Sequence, residues 1–216
     1  MAVRGPDGVT RRRALVEASR LFAVRGYHGT STRDIADAVG VRQPSLYRHF
    51  DGKAAILAEL LDADLLPALA RVRSALDAAA PPPVRLHAYL HADVAAILGL
   101  PYDVRGLYND DVLDLPDLAA QAARRAELHA LTARLVGQGV ASGDLRPADP
   151  HFVRHAITGL LLEAVRERGP SPAPDPHPRA QDVADFILRA TLADPTRLPD
   201  LKTASTALVT HWTTNP

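Results

Sequence analysis

An all-α protein is what this chain predicts, and three observations carry the prediction. Ala, Leu and Arg, all good helix formers, dominate long stretches. β-Branched residues are scattered instead of gathered into runs. Apolar residues recur at helical spacing, and strict alternation is rare.

The first helix is expected from Thr10, its N-cap, to about Arg25. Leu15, Ala18, Leu21 and Phe22 make its inner face, and Gly26 suits its stop. Residues 30–53, TSTRDIADAVGVRQPSLYRHFDGK, then predict two short helices around a tight turn. Ser31 can cap the first, with Asp34 as its capping-box partner, and Ile35, Ala36 and Val39 form the buried stripe. Gly40 supplies the turn, where a residue without Cβ takes positive φ at little cost. In the second helix Leu46 and Phe50 are four apart and face the core, which leaves Gln43, Pro44, Tyr47 and Arg48 outward.

Residues 54–80 read as a long helix that Pro67 should kink or break, because proline removes a donor and clashes with the preceding turn. Pro81-Pro82-Pro83 closes it, a helix follows over 84–98, and a loop or short helix runs on to 117. Helices are expected at 118–141, ending near Gly143, and at 149–168 and 181–193, the last two major ones. The intervening GPSPAPDPHP, 169–178, should be an extended, mobile loop. The tail from Asp194 is weakly patterned, with Trp212 suggesting that part of it docks.

Composition narrows the class. A chain of 216 residues makes one large domain or two small ones, and 47% hydrophobic with 23% charged residues argues against global disorder. No run of about 18 uncharged apolar residues is present, so no membrane helix is expected. MAVRGPDGVTRRR lacks the apolar core of a signal peptide, which predicts a cytoplasmic location. The chain has no cysteine, which removes disulfides, thiolate metal sites and cysteine nucleophiles together. Net charge is zero, but residues 1–53 carry ten basic and five acidic groups, leaving fifteen and twenty to the remainder. A basic N-terminal quarter on an acidic body suits local contact with a polyanion.

That quarter also has the outline of a helix-turn-helix, in which one helix braces and the next enters the DNA major groove. Exposed Gln and Arg can make bidentate bonds to adenine or guanine edges, and Pro can touch a thymine methyl. Thr32, Tyr47 and His49 carry donors suited to phosphate oxygens. Lys53 opens the next helix, where its ammonium and the helix dipole both favour an anion.

The pattern RGYHGTSTRDIADAVGVRQPSLYRHFDGK between two helices closely resembles the N-terminal domain of the TetR family of transcriptional regulators. The resemblance rests on Gly26-Tyr27, the Thr/Ser cluster, Ile35-Ala36, Gly40-Val41, Leu46-Tyr47-x-x-Phe50 and Lys53, with Gly143-Asp144-Leu145-Arg146 resembling a common connection further on. It implies a DNA-binding domain at 1–53 and a helical ligand-binding and dimerisation domain at 54–216. It further implies a homodimer reading a palindromic double-stranded operator, with a small-molecule effector releasing it. By the same resemblance Thr32, Tyr47, His49 and Lys53 would hold phosphates, and Arg42, Gln43, Pro44, Ser45 and Arg48 would lie closest to bases. Two positions depart from the family pattern. Arg42 stands where members commonly carry a Ser or Thr cap, and Gly52 where many carry Ser.

An effector pocket should be mostly apolar with a few polar groups fixing orientation. The search region on the middle helices is Leu61, Leu65, His87, Leu90, His91, Val94, Tyr102, Tyr108, Leu128 and His129, each apolar member of which can equally pack the core. His87/His91 and His151/His155 have i, i+4 spacing, the geometry of a helical zinc pair, but no third ligand accompanies either, so neither metal nor cofactor is assigned. The stripes Phe152, Ala156, Leu160, Leu161 and Val183, Phe186, Ile187, Ala190 would, by resemblance, form a four-helix dimer interface. Two alternatives remain: a DNA-binding regulator without an effector, and a metal-dependent enzyme on a helical bundle. No catalytic motif supports the second.

Overall fold

The computed structural model describes residues 6–108 and 110–214, with side chains described at 10–108 and 112–209. Every regular element among them is helical: α1 (Pro6–Arg25), α2 (Thr32–Val39), α3 (Gln43–Tyr47), α4 (Lys53–Asp77), α5 (Pro82–Gly99), α6 (Asp110–Leu113), α7 (Ala119–Ala141), α8 (Pro150–Arg168), α9 (His177–Thr191) and α10 (Leu198–Thr214). Single 3-10 turns at Val104–Gly106, Pro116–Leu118 and Pro195–Arg197 join some of them. No helix among the described residues is long and apolar enough to cross a membrane.

Several boundaries differ from expectation, mostly at prolines. Helix α1 begins at Pro6, ahead of Thr10, and α5 and α9 likewise start with prolines in or beside their first turn. In that turn the absent N–H costs nothing, so the ring is tolerated where an interior one would not be. Pro67 is a different case. Helix α4 runs through it without a break. The exposed ring sits toward solvent while Leu65, Ala68 and Leu69 on either side are buried, and their packing offsets one missing backbone bond. The tail is also more regular than its pattern: α10 packs against α5 and α9, burying Leu198, Leu201 and Ser205. The side chain of Trp212 lies outside the described residues.

The chain divides into two compact units. The first comprises 1–64, 100–123 and 168–172. Leu15, Ala18 and Phe22 of α1 are buried in it and Leu21 is half-buried, with Ile35, Leu46, Phe50, Leu57 and Leu107 also buried. The segment 100–107 lies close on α1. Asp103 N–H donates to Ser19 Oγ at 3.0 Å, and a Cβ on Gly106 would stand 2.5 Å from the carbonyl oxygen of Phe22. Only glycine fits there.

The second unit holds 65–99, 124–167 and 173–216. Its core joins Val72, Leu86, Leu90, Leu135, Val136, Ile157, Ile187 and Leu188. The Gly143-Asp144-Leu145-Arg146 connection works as a clasp at one end of it. Arg146 N–H donates to Thr191 O at 2.7 Å, Ala193 N–H to Asp144 O at 3.0 Å, and Arg197 pairs with Asp144 at 2.9 Å. A loop over 169–176 precedes α9, and its Ala173 N–H bonds Leu98 O at 2.9 Å.

Candidate nucleic-acid interface

The site is assembled from α2, α3 and the first residue of α4. Helix α2 starts on the expected capping box: Ser31 Oγ accepts from Asp34 N–H at 3.1 Å, and Asp34 Oδ2 accepts from Ser31 N–H at 2.8 Å. The Ser31 hydroxyl donating to Asp34 Oδ2, then the Ser31 N–H, and Arg25 at 3.3 Å hold the Asp34 carboxyl below the usual carboxylate range. The helix ends at Gly40, φ +76°, whose left-handed backbone lets Val41 N–H return to Ala36 O at 3.0 Å. This reversal sets the angle between α2 and α3. Leu46 and Phe50 are buried, and the Arg11 guanidinium lies 4.9 Å from the Phe50 ring centre. Burying that face turns Pro44, Tyr47 and Arg48 outward.

Three side chains meet on the outer surface. Gln43 Nε2 donates to Thr32 Oγ1 at 2.9 Å, and Thr32 Oγ1 shares a 3.3 Å hydrogen bond with Tyr47 OH. Gln43 is therefore half-buried and tethered, not freely projecting. Arg42 is exposed at the N-cap of α3 and supplies no side-chain cap, as the departure from the family pattern implied. Ser45 is half-buried. So is His49, whose Nε2 is enclosed without a partner.

Lys53 differs most from its expected role. Its ammonium donates to Tyr27 O at 2.8 Å and Thr30 O at 2.9 Å, and stands 4.2 Å from the Tyr27 ring centre. Burial lowers its pKa. Two of three N–H donors thus brace the turn between α1 and α2, and one is left for a phosphate. Sequence reading assigned Tyr27 a place in the fingerprint but missed it as the partner of Lys53, because a carbonyl 26 residues away leaves no trace in a local pattern. His28, Thr30, Ser31, Thr32, Tyr47 and Lys53 together line a shallow recess of about 500 Å³. Its rim joins hydroxyls, backbone and the Lys53 ammonium to the Asp34 carboxylate.

Comparison with known proteins identifies the family of this helical segment. The profile of the bacterial regulatory proteins of the TetR family matches residues 14–60, which contain the whole of α2 and α3. The HTH-type transcriptional repressor KstR2 of Mycolicibacterium smegmatis is 33% identical over 162 residues, covering 73% of this chain and 78% of the relative. The chain belongs to the TetR family. The HTH-type transcriptional activator FasR of the same organism is 32% identical over 118 residues, covering 55% of this chain and 54% of that protein. The crystal structure of Mycobacterium smegmatis AmtR superposes with a TM-score of 0.79 at 29% identity, covering 95% and 97% of the two chains. The protein is a TetR-family transcriptional regulator, with an N-terminal helix-turn-helix and a helical C-terminal domain.

The residues selected as an effector region are divided between the two compact units. Leu61, Tyr102 and Tyr108 belong to the first compact unit; Leu65, His87, Leu90, His91, Val94, Leu128 and His129 belong to the second. Leu61, Leu65, Leu90 and Val94 are buried, and Leu128 packs against the core that contains Leu90. Tyr108 OH donates to Asp64 Oδ2.

His87 is enclosed, with Nε2 2.9 Å from Asp185 Oδ1 and Nδ1 2.7 Å from Ser205 Oγ. The carboxylate can only accept, so Nε2 carries the proton and Ser205 donates to Nδ1. Lys202 and Gln181 donate to the same carboxylate at 2.6 Å each. His91 instead stacks on His177, ring centres 5.4 Å apart. The two histidines therefore have separate partners. His151 and His155 are both exposed on α8, and no group of three His, Cys, Asp or Glu among the described residues is placed to hold a metal ion.

Proposed function

We propose that this TetR-family regulator is a repressor that binds a two-fold symmetric DNA operator as a homodimer and is released by a small molecule. The Thr32–Gln43–Tyr47 cluster carries the DNA part of the reading. It joins a hydroxyl suited to a phosphate to an amide suited to a base edge, both half-buried on the outer surface of α2 and α3. Residues 1–53 are the DNA-binding domain in this reading. Thr32, Tyr47, His49 and Lys53 hold phosphates, and Arg42, Gln43, Pro44, Ser45 and Arg48 lie at the bases. Repression is favoured over activation because the repressor KstR2 matches a longer share of the chain than the activator FasR does.

Dimerisation is supported by large apolar side chains exposed on α8 and α9: Phe152 at 69%, Leu162 at 43% and Phe186 at 60%. Ala156 and Ala190 are exposed beside them, whereas Val183 and Ile187 are spent on the chain's own core. A second copy would cover that face, and a two-fold symmetric operator would be met by two α3 helices at successive major grooves, about 34–36 Å apart. A ligand that binds a differently spaced conformer better would release DNA by differential affinity. Residues 54–216 would carry that ligand.

Titration of a labelled fragment from upstream of the gene, with a reporter assay on the same fragment, tests the reading. Salt-dependent binding with repression is expected; activation would overturn the direction, and no binding would overturn the DNA role. Sedimentation at micromolar protein should give a dimer, and a monomer would remove that part.

A further inference from the structure

We propose that Thr32 is a positioning residue that selects which base Gln43 reads, in addition to any contact it makes with the DNA backbone. The proposal rests on the DNA-binding reading above and deepens it.

Gln43 opens α3 and Tyr47 closes it, while Thr32 is the first residue of α2. One hydroxyl thus touches both ends of the recognition helix. A threonine hydroxyl has one hydrogen to give and two sites to accept. Here one accepting site is filled by Gln43 Nε2 at 2.9 Å, and the longer 3.3 Å bond to Tyr47 is the one that yields first when DNA arrives. If the Thr32 hydrogen goes to a phosphate oxygen, the hydroxyl has only acceptor capacity left toward Gln43. The amide must then present Nε2 to it.

That constraint has a chemical consequence at the base. With one Nε2 hydrogen held by Thr32, the amide turns its remaining Nε2–H and its Oε1 outward as an adjacent donor and acceptor. Adenine offers the complement in the major groove, N7 as acceptor and N6–H as donor. The flipped amide would place Oε1 against Thr32 and turn both hydrogens outward, which suits the paired acceptors O6 and N7 of guanine instead. Gripping the phosphate therefore fixes the amide in its adenine-reading orientation. Without the hydroxyl, Gln43 turns freely and adenine loses its advantage.

The experiment selects binders from a randomised duplex library with the wild type, Thr32→Val, Thr32→Ala, Thr32→Ser and Gln43→Ala, then measures affinity for each base at every position. The wild type should prefer adenine at one position of each half-site by about 5- to 150-fold, the range a good bidentate contact supports. Gln43→Ala should lose that preference. Thr32→Val and Thr32→Ala should lose most of it while other positions keep theirs, and Thr32→Ser should retain it. Two hydroxyl-less variants guard against misfolding of either, with thermal melts as the control.

Uniform weakening across all bases in Thr32→Val and Thr32→Ala would mean a phosphate contact only and would overturn the proposal. A wild-type preference for a base other than adenine, with Gln43→Ala sensitive to it, would overturn it too. Absence of any salt-dependent binding by the wild type would instead bring down the DNA-binding reading on which it stands.

Discussion

The helix-turn-helix and the C-terminal helical body handle polar groups in opposite ways. In the former, polar side chains are displayed, and their partners lie within the same short motif: Ser31 with Asp34, Thr32 with Gln43 and Tyr47. In the body, polar groups are buried and bonded to partners far along the chain. His87 meets Asp185 and Ser205, and Arg71 meets Asp93 at 2.7 Å, with Tyr89 reaching Thr132 at 3.2 Å. Displayed groups are available to a partner molecule. Buried ones are committed to holding helices together, because leaving any of them unpaired costs more than the bond itself contributes. Function and stability should therefore respond separately to mutation in the two regions.

The sharpest test is Asp185→Ala. It strips a shared carboxylate from His87, Lys202 and Gln181 and leaves the buried His87 Nε2–H unpaired, so a loss of roughly 2–3 kcal/mol in urea denaturation is expected. The fraction still folded should bind DNA with unchanged base preference; a change there would break the separation. Lys53→Met probes a site residue that also braces a turn. Losing its bonds to Tyr27 O and Thr30 O should cost about 1–3 kcal/mol of stability. Its DNA affinity should fall for all sequences, with the salt slope lower by about 1. An unaltered melting temperature would return Lys53 to a purely electrostatic role.

Gln43→Ala should cost about 1–3 kcal/mol of binding at one base position, without measurable loss of stability. Equal binding to all operator variants before and after substitution would remove Gln43 from the readout. The gentlest perturbation is pH. Burial holds His87 below its ordinary value of about 6.5 against the opposing pull of Asp185, and burial with the nearby His177 does the same to His91. As pH falls below about 6.5 the unfolded chain takes up protons that the folded body resists, so stability falls.

The carboxylates act in a lower window. Burial raises the pKa of Asp185, but Lys202, His87 and Gln181 outweigh it and the net shift is downward. Asp144 is lowered by Arg197 and Ser142. Their contributions persist until pH falls below about 4, as does that of Asp34 in the helix-turn-helix. Amide exchange at pH 5.5 should therefore quicken in α5 and α9 before α2; simultaneous loss would contradict the contrast.

Much was legible before any coordinates. Helical spacing, Gly40 and the Ser31–Asp34 pair identified α2 and its turn, and Leu46 with Phe50 oriented α3, because each depends on neighbours within a few residues. The motif of the TetR family was readable for the same reason. At Pro67 the break allowed by the local rule against interior proline does not occur, since helix α4 continues through it with buried residues on either side. Helix α10 was missed because its docking on α5, about a hundred residues away, supplies what its own pattern lacks.

The amino-acid sequence by itself thus determined the all-α class, the helix-turn-helix, and the residue types offered to DNA, all encoded in short-range spacing. Tertiary structure decided how those residues are used. It tied Gln43 to Thr32, turned Lys53 inward to the Tyr27 and Thr30 carbonyls, and enclosed His87 with Asp185 instead of pairing it with His91. Each of these is a hydrogen bond between groups at least eleven residues apart. Such a bond forms only when packing elsewhere has already brought the two helices together.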